Sequence, residues 1–163
     1  MKAALFFLIL LMSQLAMSQT MKEKRVKQEM LERVDLLIEK AESVKDLLEV
    51  NRKETPSDEN VGAACRILKD LFEIYPEHVK AIGGHLDLFA ARTVWLKNEA
   101  LAQLITIHRQ TLVCKQGKNQ EYVDPSALHK EFENIVKSLE KQKKRISKSD
   151  ASYENSFYYE YEF

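Results

Sequence analysis

Four histidines, two cysteines and a scatter of acids are the side chains of this 163-residue chain best suited to chemistry. His78 and His85 stand seven apart, which stacks them on one face of a straight helix, although Gly83-Gly84 falls between them. No HExxH and no paired Cys/His spacing accompanies them, so no metal site is expected and the histidines read as surface or half-buried groups. GxSxG, a phosphate-binding loop and GxGxxG are missing. The acids fall almost wholly on polar helix faces, where solvated charge explains them. The chain therefore reads as a non-enzymatic protein without catalytic residues or cofactors.

Cys65 and Cys114 are the two cysteines, and no CxxC occurs. In an oxidising compartment they read as a disulfide, within the chain or between chains; two buried thiols are the plainer alternative. The N-terminus supplies that compartment. Met1-Lys2 is a short positive start, and Ala3 to Met12 is an unbroken apolar run. Ala16-Met17-Ser18 then places small residues at the last and third-last positions before a cut between Ser18 and Gln19. The run is shorter than the roughly 20 residues a helical membrane span needs. These features predict a signal peptide over 1–18, secretion to the extracellular space and no stable membrane insertion.

Two further clusters attract a binding role. Lys137, Lys141, Lys143, Lys144, Arg145 and Lys148 gather cations at the end of a helical segment. Cations are favoured at the negative end of the helix dipole, which explains them simply. The same charges suit heparan sulfate, and Lys143-Lys144-Arg145 also reads as a convertase site that would free residues 146–163. The last stretch holds Tyr153, Tyr158, Tyr159 and Tyr161 among acids, a pattern that suits tyrosine sulfation. Docking on a partner, folding back on the helices and having no role stay open for it. Trp95, one step off the apolar seam, reads as a rim-of-core residue or as an exposed anchor.

The elements that must carry these residues are helical. Gly and Pro number four and three, charged residues make up 31% of the chain, and the apolar residues recur at helical period. From about residue 21 to 50, Met30, Val34, Leu37, Ala41, Val44 and Leu48 keep a four–three spacing, widened by Leu31 and Ile38 to the stripe of a bundle helix. A second helix starts near Thr55-Pro56 or Ser57, buries Val61, Ala64, Cys65, Leu68, Leu71 and Phe72, and stops at Pro76 because the residue before proline avoids helix. A third runs from Pro76 through Val79, Ile82, Leu86, Phe89, Thr93, Leu96 and Ala100 to Cys114, with breaks offered at Gly83-Gly84 and Asn98. Asp124-Pro125 caps and opens another, carrying Leu128, Phe132, Ile135 and Leu139.

One-faced helices must pack on one another. The expectation is an all-α, four- or five-helix antiparallel bundle over 19–145 with a disordered tail over 146–163. Measured from a corner at Pro76, Cys65 and Cys114 would lie about 16 Å and about 57 Å along straight helices. A disulfide holds Cα atoms within about 7 Å, so pairing them requires the third helix to break.

Cutting after Ser18 takes one lysine with the leader and leaves 24 basic against 25 acidic residues, with no global field to attract nucleic acid. No Asn-x-Ser/Thr sequon occurs. The plan resembles, in architecture alone, that of the helical cytokines and hormones. It implies a signalling or binding protein that meets a protein partner or receptor at the cell surface. A precursor of the 146–163 peptide and an extracellular matrix protein that self-associates through the first helix's heptads are the alternatives.

Overall fold

A single apolar seam organises each helix. The computed structural model describes residues 2–49, 56–86, 91–116 and 123–149, with side chains from Met21 onward apart from those of residues 91 and 116. Within these, the elements are α1 (Lys2–Leu47), α2 (Asp58–His85), α3 (Ala91–Gln116) and α4 (Pro125–Ser147), with no strand among them. In α1 the seam expected from sequence is the one buried: Val26, Met30, Val34, Leu37, Ala41 and Val44, closed by Leu48 in the turn that ends the helix. Ser57 caps α2 by accepting from the Asn60 amide, and Asp124 caps α4 by accepting from the Ser126 and Ala127 amides. Pro125 follows as the first helical residue, where its missing N–H costs nothing.

Side-chain partners fix the directions. Arg33 donates to the Glu77 carbonyl, and Lys40 lies 4.0 Å from Asp70, so α2 descends as α1 rises. Between α2 and α3 the pairs are Phe72 with His108 and Cys65 with Cys114. Arg109 meets Glu131 and Glu99 meets Ser138 between α3 and α4. Lys143 meets Asp35 and Lys27 meets the Ser149 carbonyl between α4 and α1. Every neighbouring pair is antiparallel, and each helix packs on its sequence neighbours, with α4 closing the ring on α1. This is an up-down-up-down four-helix bundle.

The second corner lies just past Gly83-Gly84, one of the two breaks the sequence offers, and not at Pro76. Pro76 is inside α2, and the helix continues to His85. An interior proline forfeits one hydrogen bond and crowds the preceding turn, at about 3 kcal/mol. Packing outweighs that loss: Val61, Ala64, Leu68, Leu71, Tyr75, His78 and Ile82 form one buried seam running straight past Pro76, whose ring is exposed. The third helix accordingly starts at Ala91, and Asn98, offered as a break, lies within it. Gly83-Gly84 form part of the last turn of α2 and are buried; among the described residues nothing lies within 4 Å of where their Cβ atoms would be.

Moving the corner reconciles the cysteines. From His85 back to Cys65 and from Ala91 on to Cys114, the two arms come to about 30 Å and about 35 Å at 1.5 Å per residue. They end side by side, with a Cα–Cα distance of 5.8 Å in the Cys65–Cys114 disulfide. The C-terminal boundary also moves. Ile146, placed in the tail by its sequence, is fully buried, and α4 runs to Ser147 with Ser149 buried behind it. The remaining tail, 150–163, lies outside the described residues.

Candidate interaction surfaces

The polar groups of the core come first, because they are where chemistry would be sought. His78, expected at or near the surface, is completely buried. Its Nε2 donates to the Gln142 Oε1 at 2.9 Å, and the Gln142 amide donates to Ser138 Oγ at 3.3 Å and toward Tyr75 Oη at 3.4 Å. Ser138 in turn donates to Glu99 at 2.6 Å. The network links α2, α3 and α4, and leaves only the His78 Nδ1 without a partner among the buried side-chain atoms of its described residues. Burial pushes the His78 imidazole down to about 4, outweighing the Gln142 hydrogen bond that favours its charged form. The Tyr75 hydroxyl is pushed up by burial. A neutral imidazole and a neutral phenol hydrogen-bonded through an amide constitute a structural network, closed off from solvent.

The remaining histidines do not join it. His85 is half-buried, with its pKa lowered by burial; His108 is stacked on Phe72 with ring centroids 5.0 Å apart. No group of three His, Cys, Asp or Glu side chains able to hold a metal ion occurs among the described residues.

The basic cluster splits in two. Lys143 turns to α1 and pairs with Asp35 at 2.5 Å, while Arg145 turns to α3 and lies 3.8 Å over the Trp95 ring. Trp95 is thus a half-buried rim residue with a cation on its face. Lys137, Lys141, Lys144 and Lys148 remain exposed at four–three–four spacing along the outer face of α4, with Lys137 bonded to Glu133. The three residues of the convertase-type site, Lys143-Lys144-Arg145, are helical and followed by the buried Ile146. Beyond them the end of α4 is tied down: Lys27 donates to the Ser149 carbonyl at 2.7 Å, and Arg92 donates to the Lys148 carbonyl. Ser18 and Gln19 fall within the α1 backbone, but their side chains lie outside the described residues, as do Tyr153, Tyr158, Tyr159 and Tyr161.

Helix α3 carries a surface that reading for one stripe does not reveal. Its inner seam buries Thr93, Leu96, Ala100, Ile107 and Thr111. Partway round the helix from this seam, Val94, Leu101, Ile105 and Leu112 are 48%, 38%, 69% and 44% exposed. With Asn98 and His108 between them, these positions step four, three, four, three, four: a second heptad seam, exposed on the side of α3 where His108 stacks on Phe72 of α2. The spacing carries this signal, but the inner seam absorbs the first count and hides it.

Among the described residues no helix is long and apolar enough to cross a membrane. Comparison with protein-family models, with curated proteins and with solved structures finds no match to the chain.

Proposed function

We propose that the chain is an exported, non-enzymatic binding protein that presents the outer seam of α3 to a protein partner at the cell surface. The observation that carries this reading is the row Val94, Leu101, Ile105 and Leu112, exposed on a helix whose other side is already committed to the core. Aligned exposed apolar side chains of this kind mark interaction faces more often than isolated ones do. The signal-type N-terminus and the Cys65–Cys114 disulfide support an oxidising, extracellular setting. The buried network of neutral groups supports a structural role for these polar side chains.

The test has two readouts. Intact mass of the protein from the medium of expressing cells is expected to start at Gln19 and to rise by two hydrogen masses on reduction. Labelled protein is expected to bind cells saturably, and Ile105→Glu, a change at an exposed site, to abolish that binding while leaving the helical circular-dichroism spectrum unchanged. Retention of the protein inside cells, or saturable binding indifferent to Ile105→Glu, overturns the reading.

Lys137, Lys141, Lys144 and Lys148 on one face of α4 favour heparan sulfate as a second, charge-driven ligand. Self-association through α1 and release of the 146–163 peptide gain no such support. The α1 heptads are used up inside the bundle, and cleavage after Arg145 would first have to unwind the anchored end of α4.

A further inference from the structure

We infer that the outer face of α3 is covered, in the isolated chain, by the chain's own C-terminal tail, with residues 157–163 as the docking segment. Reach comes first. The described chain ends at Ser149, beside Lys148, whose carbonyl is bonded to Arg92, two residues ahead of Val94. The tail therefore starts at the N-terminal end of the α3 seam. The seam from Val94 to Leu112 is about 27 Å long at 1.5 Å per residue. Residues 150–163 span about 45 Å when extended at about 3.3 Å per residue, enough to cross from α4 and cover most of it.

Composition comes second. Residues 150–163 contain Asp150, Glu154, Glu160 and Glu162 and no basic side chain. In an extended chain alternate residues face opposite sides. That places Phe157, Tyr159, Tyr161 and Phe163 on one side and Tyr158, Glu160 and Glu162 on the other. The receiving surface is the apolar row on α3, on the side of that helix where His108 stacks on Phe72 of α2. A segment lying along the outside of α3 sets its aromatic rings on that row and leaves its carboxylates to solvent. Aromatic rings left in water gain nothing, whereas the same rings on an apolar seam remove both surfaces from solvent.

This inference concerns the purified chain and does not rest on export or on a cell-surface partner. The experiment places a photoreactive benzoylphenylalanine at Tyr159 in the oxidised full-length protein and irradiates it at high dilution. Monomer and dimer are then separated and the adducts mapped. Adducts in the monomer between position 159 and residues 94–112 are expected, with their loss in the Leu101→Glu/Ile105→Glu variant, both positions being exposed. Adducts confined to covalent dimers would show the tail seated on a second copy and overturn the inference. So would an absence of α3 adducts, or adducts unaffected by the double substitution.

Discussion

The Nε2 of His78 and the Oε1 of Gln142 meet 2.9 Å apart across the centre of the bundle, joining α2 to the diagonally opposite α4. Because the Gln142 oxygen accepts, His78 carries its proton on Nε2 and leaves Nδ1 as a bare lone pair, with no partner among the described residues. Protonating Nδ1 would place a charged N–H where no acceptor waits. Burial lowers the imidazole's pKa first of all, and the missing acceptor acts in the same sense.

Stability should therefore depend on pH in the acid direction. The folded pKa of His78 lies below its ordinary value, at about 4, so the unfolded chain takes up the proton first. The contribution is complete above pH about 6.5 and is lost as pH falls toward 4. His85, also lowered by burial, acts in the same sense. Urea midpoints are expected to fall over that window, and less steeply in His78→Gln.

Removing the hub of the network should cost more than removing the network. Gln142→Leu leaves His78, Tyr75 and Ser138 without their shared partner. A loss of about 2–4 kcal/mol in urea unfolding is expected, from about 1–3 kcal/mol for each buried group left unsatisfied. The triple change His78→Leu/Tyr75→Phe/Gln142→Leu should recover part of that loss; if it is as damaging as the three single changes combined, the groups do not act as a unit.

Proline 76 offers a test of the helix that runs through it. Its ring is exposed, so Pro76→Ala gives up little packing and restores a backbone N–H inside α2. The variant should gain about 1–3 kcal/mol, given the cost of an interior proline. Were Pro76 the first residue of a separate helix, the change would be neutral or harmful. Thermal melts of the two proteins distinguish these outcomes.

The disulfide joins Cys65 to Cys114 across a sequence separation of 49. Replacing both by alanine should lower stability by about 2–4 kcal/mol. Reduction of the unaltered protein should reproduce the effect, and the double variant should no longer respond to reductant.

Much of this architecture is legible in the sequence. The α1 seam and the Asp124-Pro125 start of α4 depend on local signals, apolar period and capping chemistry, and both stand. A corner at Pro76 is wrong because a strong local rule competes there with a tertiary gain invisible to it. The α2 seam passes through Tyr75 and through His78, which reads as a surface or half-buried group until Gln142, sixty-four residues beyond it, supplies its partner. The outer seam of α3 is hidden differently: a helix with apolar residues on two sides has no single stripe to detect, and exposure alone tells its two faces apart. The basic cluster can be counted from the residues, but only the fold shows that Lys143 and Arg145 point to different neighbours.

The arrangement of the ring gives the molecule two unlike ends. At one, Cys65 and Cys114 join α2 to α3 covalently. At the other, the start of the packed part of α1, the α2–α3 corner and the end of α4 come together, held by Lys27 and Arg92 on backbone carbonyls. Whatever is attached ahead of residue 21 or beyond residue 149 emerges from this second end alone. A protein tethered there would stand upright on a surface, its clasped end outermost and the long side of α3 facing sideways.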